Sequence, residues 1–303
     1  MTRNTLGYQI PRTAAELRGF ADFLGRDGAD FVTIPHALRW AQRSRSAQPA
    51  TWADRLGVVR RFAAWRRLTD PRTQVPPPGL LPHRRRRKPP YIYSDSEIEC
   101  IVAEAAQLPS AHGLRGVTFA TLFGLLAASG LRLGEALALD LPDVDLENGI
   151  LAVRKGKFGK ARFVPLHESV RLALAHYSET REQFLPRRSV DAFFVTERGT
   201  RIRHSMAEWT FAKVSAAIGL RAPARADCRG RGPRLHDMRH RFAAARLLAW
   251  YRAGADVERE LPKLATYLGH VHVRHSYWYL EAIPELLQLA TERLINQRVG
   301  GAS

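Results

Sequence analysis

A mainly α fold with one small β-hairpin, arranged as two domains, is what this 303-residue sequence predicts. Three observations lead there. Apolar residues recur at helical spacing along most of the chain, and a single pair of β-rich runs flanks a short basic loop. A stretch rich in proline and arginine separates a short helical segment from a longer one.

Residues 1–70 read as a helical domain. Leu17, Phe20, Phe23 and Leu24 share a helical face, with Gly25 and Gly28 as breakers. Thr33-Ile34-Pro35 reads as an N-cap with proline in the first turn, opening a helix through Trp40. A third helix is predicted over 51–68, with Leu56, Val59, Phe62 and Ala63 as its apolar face. Arg55, Arg60, Arg61, Arg66 and Arg67 occupy much of the remainder. Any one of them alone is best read as a solvated residue. Together, on a small helical domain, they suit phosphate contacts, with Arg55 and Arg60 as the candidates.

Residues 71–93 break the periodicity. Pro76-Pro77-Pro78-Gly79 and Pro89-Pro90 flank Arg84-Arg85-Arg86-Arg87-Lys88. Proline stiffens the stretch and like charges keep it extended, so it reads as an interdomain linker lying on a polyanion.

The second domain, residues 94–303, opens at Ser94 with Glu97 three positions on, a capping box. A helix over 114–129 carries Val117, Leu122, Leu125 and Leu126, and Gly130 is placed to end it. A short helix follows through Leu139. The runs 150–154 and 162–166 form a hairpin around Lys155-Gly156-Lys157-Phe158-Gly159-Lys160. Helices dominate from Glu168 onward, interrupted by a short extended segment over 193–201. A last helix over 284–297 places Leu286, Leu287, Ala290 and Leu294 on one side, to pack on its own domain or on a neighbouring protomer.

Composition narrows the partner. Apolar residues make up 45% of the chain, enough for a sizeable core. The net charge is +18, with arginine far ahead of lysine. GC-rich codon usage can explain arginine over lysine, but less easily the excess over acids. A field of this sign draws polyanions, and the planar guanidinium fork matches phosphate oxygens, so nucleic acid is the expected partner. Cys100 and Cys228 are too few for a disulfide framework or a cysteine-based zinc site. No run resembles a signal peptide or reaches the length of a membrane span, which predicts a soluble, cytoplasmic protein at the nucleoid. The acidic residues do not cluster as a metal-dependent nuclease requires.

The chemistry concentrates late in the chain. Arg234-Leu235-His236-Asp237-Met238-Arg239-His240, Leu268-Gly269-His270 and Tyr277-Trp278-Tyr279 supply cations, imidazoles and phenols within reach of one pocket. That set suits breaking a phosphodiester without a metal or other cofactor. A tyrosine hydroxyl can attack phosphorus, and fixed positive charge stabilises the oxygens that gain charge in the transition state.

Here the chain resembles the tyrosine recombinase (phage integrase) family. Ala128-Ser129-Gly130-Leu131-Arg132-Leu133-Gly134-Glu135 is similar to its first arginine box, Leu235-His236-Asp237-Met238-Arg239-His240 to its second, and Leu268-Gly269-His270 with Tyr279 to its third. Each motif is weak alone; all of them in order, with the basic hairpin between the first two, are specific over residues 94–298. Residues 1–70 match only in architecture. The run from Trp278 to Leu287 also resembles transposon-borne members.

The resemblance implies a role for each residue. Arg132 and Arg239 would clamp the non-bridging oxygens of the scissile phosphate. Tyr279, nine residues after His270 as is usual in the family, would become a 3′-phosphotyrosine. Tyr277 lies roughly 200° away on a helix, so both cannot easily enter one pocket. His236 would assist proton transfer around the nucleophile, and His270 would donate to a non-bridging oxygen. His240, His272 and His275 read better as structural. A hairpin lysine would protonate the leaving 5′-oxygen. Counting back from Val164-Pro165-Leu166 selects Lys157, while counting forward from Arg132 lands on Gly156, so Lys155 stays open. Lys160 would contact the DNA backbone, and Glu135 would brace the arginine box.

The family implies double-stranded DNA at a specific recombination site as partner, a dimer on each site, a tetrameric synapse and accessory recombinase subunits. Two other readings share these residues: a type IB topoisomerase, and a catalytically silent DNA-binding descendant of the family.

Overall fold

The computed structural model describes residues 11–44, 47–82, 90–154, 161–185, 190–222 and 232–269, together with Glu285 and Gln288. The chain divides into two compact units, Met1–Lys88 and Pro89–Ser303.

In the first unit, α1 (Pro11–Arg26), α2 (Ile34–Gln42) and α3 (Pro49–Arg66) enclose Phe20, Trp40, Leu56, Val59 and Ala63. Helix α1 runs through Gly25, and the left-handed turn comes at Gly28. Thr33 caps α2, its hydroxyl accepting from the His36 N–H at 3.3 Å. Trp40 is fully buried and satisfies its indole by donating to the Gly19 carbonyl at 3.1 Å.

Residues 71–82, expected to begin a linker, pack on this unit instead. Val75 and Leu81 lie against its core, and the Gln74 N–H donates to the Val32 carbonyl at 2.8 Å. Arg60 secures the proline run, with Nε donating to Pro76 O at 2.7 Å and Nη2 to Pro77 O at 2.9 Å. Proline carbonyls in an extended run have no ladder partner of their own, so an arginine fork is a natural donor. The basic run Arg84, Arg85, Arg86, Arg87 and Lys88 lies outside the described residues. At the other end of the expected linker, Tyr93 is buried in the core of the second unit.

The second unit begins at the Ser94 capping box, with both reciprocal bonds present, and α4 (Asp95–Ala106) follows. Helix α5 (Leu114–Ser129) is buried on most of its circumference and forms the centre of the core with Phe119, Leu122 and Phe123. Helix α6 (Leu133–Leu137) leads to a 3-10 turn and to β1 (Val144–Asp145), β2 (Ile150–Val153) and β3 (Arg162–Pro165). These form an antiparallel sheet in the order β1-β2-β3. The expected hairpin is there, with Leu151 opposite Val164 and Val153 opposite Arg162. Strand β1, only two residues long, is too short to give a sequence pattern.

Helices α7 (Glu168–Phe184), α8 (His204–Ala217), α9 (Leu235–Arg252) and α10 (Val257–Leu268) complete the described part of this unit. The extended segment near 193–201 carries an isolated bridge between Val195 and Arg201. Its adjacent Phe193 and Phe194 are both buried around Tyr177, whose hydroxyl donates to Phe193 O at 3.1 Å. A second apolar cluster joins α9 to α10 through Phe242, Leu247, Leu261, Leu264 and Leu268. Most of the expected final helix lies outside the described residues. Glu285 is helical and bonds Arg252 of α9 at 2.6 Å. Among the described residues, no helix is long and apolar enough to cross a membrane.

Candidate active site

Arg132 owes its position to a sharp corner. Helix α5 ends at Gly130, whose φ of +63° is left-handed. A Cβ there would also lie 2.6 Å from Phe242 Cδ1, so both backbone and packing require glycine. Two residues later Arg132 precedes α6 in an extended conformation, and Glu135 reaches back to it. Glu135 Oε2 accepts from the Arg132 backbone N–H at 3.0 Å, and Oε1 accepts from Nη1 at 2.6 Å. Nη2 of Arg132 donates to Gly269 O at 3.1 Å.

Helix α9 opens with the same local device. Asp237 accepts from the Arg234 backbone N–H at 2.8 Å and from its guanidinium at 3.3 Å. The Tyr93 hydroxyl donates to Arg234 O at 3.0 Å and fixes the start of the helix to the core. His236 and Arg239 then fall one turn apart on α9. Arg239 is only 2% exposed. Its Nη1 donates to Gly130 O at 2.7 Å, and its Nη2 donates to Leu268 O. Both acceptors lie at helix C-termini, where unsatisfied carbonyls favour a cation.

Sequence reasoning missed Arg162. It stands on β3 with its side chain 11% exposed, facing Glu135 at 4%. Nη2 donates to Glu135 Oε2 at 2.8 Å, Nη1 to Oε1 at 3.2 Å, and Nε to Tyr267 O at 2.7 Å. One signal was available: Arg162 shares a strand face with Val164, which is fully buried, so a charge there must have a partner. Burial acts to raise the Glu135 pKa, but hydrogen bonds from Arg162 and the Arg132 N–H, with both positive charges, hold it at about 2. Glu135 is therefore an ionised brace, as its place in the arginine box suggested.

Arg132 and His236 open onto one cavity of about 870 Å³, with Arg221, Arg234, His204 and Glu208 on its walls and Leu133, Phe211 and Leu235 beneath. His236 is exposed and lines this cavity. Desolvation, followed by the charges of Arg239 and Arg132, lowers its pKa from 6.5 against the opposing effect of Asp237, which favours the neutral imidazole. The His240 ring meets it edge-on, with centroids 4.8 Å apart. The structure thus brings Arg132, Glu135, His236 and Arg239 together, with Arg132 and His236 on the cavity and Arg239 deeper in its wall. Tyr267 stacks on Phe242 as a packing residue.

His270, Tyr277, Tyr279, Lys155, Lys157 and Lys160 lie outside the described residues. Of the α3 candidates, Arg60 is committed to the proline carbonyls described above. Arg55 is half-buried and donates to Ala41 O at 3.4 Å. Arg61 and Arg67 are exposed. Among the described residues, no group of three or more His, Cys, Asp or Glu is placed to hold a metal ion.

The phage integrase family matches residues 94–285, well over half of the chain. The protein y4rB of Sinorhizobium fredii, named an integrase/recombinase, is 45% identical over 296 residues, covering 96% of this chain and 93% of its own. The tyrosine recombinase XerD of Caulobacter vibrioides is 33% identical over 290 residues, covering 94% and 88%. A solved structure of the Tn1549 transposon integrase with a circular intermediate DNA has a TM-score of 0.62 at 15% identity, covering 96% of each chain, which is a likeness of fold. The chain belongs to the phage integrase family and is a tyrosine-type site-specific recombinase, an enzyme that cuts and rejoins DNA strands. None of these similarities supports the topoisomerase reading.

Proposed function

We propose that Arg132, Arg239, His236, His270, a hairpin lysine and Tyr279 form one strand-transfer site for duplex DNA. The observation that carries this reading is the bonding of Arg132 and Arg239 to the Leu268-Gly269 turn, directly before His270. Gly269, the residue before His270 in the chain, therefore lies on the wall that holds both arginines. In this reading the Tyr279 hydroxyl attacks phosphorus, the bond to the 5′-oxygen breaks, and a 3′-phosphotyrosine forms. Neutral His236 accepts the tyrosine proton, and Lys157 or Lys155 protonates the departing oxygen. Arg132 and His270 donate to non-bridging oxygens, while Arg239 adds buried positive charge. The phosphotyrosine keeps the bond energy, so attack by a 5′-hydroxyl rejoins the strand without ATP.

The first unit and the basic run 84–88 would hold the DNA backbone, with Arg61 and Arg67 joining Arg55 as candidates because they are exposed. Residues 94–303 form the catalytic domain in this reading, and the linker shortens to the basic run and its flanks. The Tn1549 relative is solved with DNA, which supports a DNA partner. A dimer on each site, a tetrameric synapse, accessory recombinase subunits and nucleoid association belong to the same proposal.

A nicked suicide duplex carrying the cognate site tests the chemistry. The expected product is a covalent adduct at the 3′-phosphate, absent in Tyr279→Phe, which still binds DNA, and present in Tyr277→Phe. The reverse pattern would move the nucleophile to Tyr277. No adduct from the unmodified protein would sink the site as proposed.

A further inference from the structure

Among the described residues of this wall, Arg162 is a largely covered cation, its side chain 11% exposed, that the strand-transfer reading does not use. Its guanidinium donates along two edges, to both Glu135 oxygens and to Tyr267 O. It thereby joins three parts of the chain: β3, the first arginine box, and the turn leading to His270. The turn is shaped around it. Gly269 has φ +65°, and a Cβ there would lie 2.9 Å from Arg162 Nη1, so the backbone closes directly over the guanidinium. Opposite Val153, Arg162 is the last paired residue of β3 on the side where residues 154–161 connect the two strands.

The charge arrangement gives these contacts a consequence. One carboxylate, Glu135, is shared by two guanidiniums, Arg132 and Arg162. With Arg162 present, Glu135 is not neutralised by Arg132 alone, and Arg132 retains positive charge towards an anion in the cavity. Without it, both carboxylate oxygens would fall to Arg132, which would be drawn away from substrate. Lysine could supply the charge but not the fork and the Nε–H together.

We infer that Arg162 is a positioning residue for strand cleavage, setting the Arg132 guanidinium through Glu135 and the His270-bearing turn through Tyr267. This rests on the proposed contacts of Arg132 and His270 with the scissile phosphate. The test uses the full-length protein on the suicide duplex, measuring single-turnover adduct formation at saturating enzyme, DNA affinity and thermal unfolding. For Arg162→Lys, which keeps the charge and threatens folding least, the expected result is cleavage about 10-fold slower, with affinity within about threefold and a cooperative melt. Arg162→Ala is expected to fall about 100-fold. The double variant Arg162→Ala/Glu135→Gln should be no slower than the slower single variant, because removing the carboxylate also removes its unshared pull on Arg132.

Cleavage by Arg162→Lys within about twofold of the unmodified protein would overturn the inference, as would multiplying effects in the double variant. Loss of cleavage matched by loss of DNA affinity would reduce Arg162 to a structural or binding role and overturn it too. Arg132→Ala separates the two levels. If it cleaves normally, the phosphate clamp itself is wrong. If it fails while Arg162→Lys is unaffected, only the role of Arg162 is refuted.

Discussion

Arg239 Nη1 donates to the carbonyl of Gly130 at 2.7 Å, joining two residues 109 positions apart in the chain. The same guanidinium reaches Leu268 O, so one buried side chain ties together the ends of α5 and α10. Arg239→Ala would leave both carbonyls without that donor in a buried wall. A loss of about 2–4 kcal/mol in urea unfolding is expected, together with loss of the covalent adduct. Arg239→Lys should lose less stability and still fail to form adduct, because one ammonium cannot span both carbonyls as the fork does.

Gly130→Ala tests the corner from the other side. A left-handed φ costs a non-glycine residue about 1–2 kcal/mol, and here the new methyl also meets the Phe242 ring. The expected total is about 2–4 kcal/mol by urea unfolding, with slower cleavage as Arg132 shifts. Adding Phe242→Leu should recover part of the packing loss and none of the backbone cost.

Glu135 sets an acid limit. Its pKa is held at about 2, below the ordinary 4.5, so its contribution to stability is full above 4.5 and is lost as pH falls towards 2. Glu135→Gln should therefore lower stability at neutral pH by about 2–4 kcal/mol, as expected when one partner of a buried ion network is removed. The difference between the variant and the unmodified protein should shrink below pH 4.5, which acid titration of the unfolding transition would show.

As the base proposed for Tyr279, His236 should set the acidic limb of the pH profile of cleavage. Burial and the neighbouring arginines lower its pKa, which favours the neutral imidazole that can accept a proton. Single-turnover cleavage should be flat around neutral pH and fall only in acid, at a pH lower than an ordinary histidine would give. His236→Asn should be slower and lose that acidic limb. A lowered histidine pKa means that the unfolded chain binds more protons just below 6.5, so acid also weakens the fold there.

How much of this was legible in the sequence depends on the range of each interaction. Thr33, Ser94 and Gly130 announced their helix ends because caps and left-handed turns act within four residues. The β2–β3 hairpin was legible from two β-rich runs around a basic glycine-containing loop, while the two-residue β1 was not. Residues 71–82 were misread as linker because proline runs suggest extension, and only folding supplies Arg60 and the Val32 carbonyl as their partners. Arg60 itself was read as a phosphate contact for the same reason: exposure of an arginine cannot be read from its own helix.

The sequence by itself determined the order of the boxes, the helix and corner that carry the first of them, the basic charge and the family, because motif spacing and helical periodicity are local properties. Only the tertiary structure decided which cation faces the cavity and which is buried in its wall. Arg132, Arg162 and Arg239 look alike in sequence. They are told apart by carbonyls and a carboxylate contributed from distant segments, as when Arg132 reaches Gly269 across 137 positions. A buried guanidinium requires such acceptors, and only the folded chain brings them within hydrogen-bond reach.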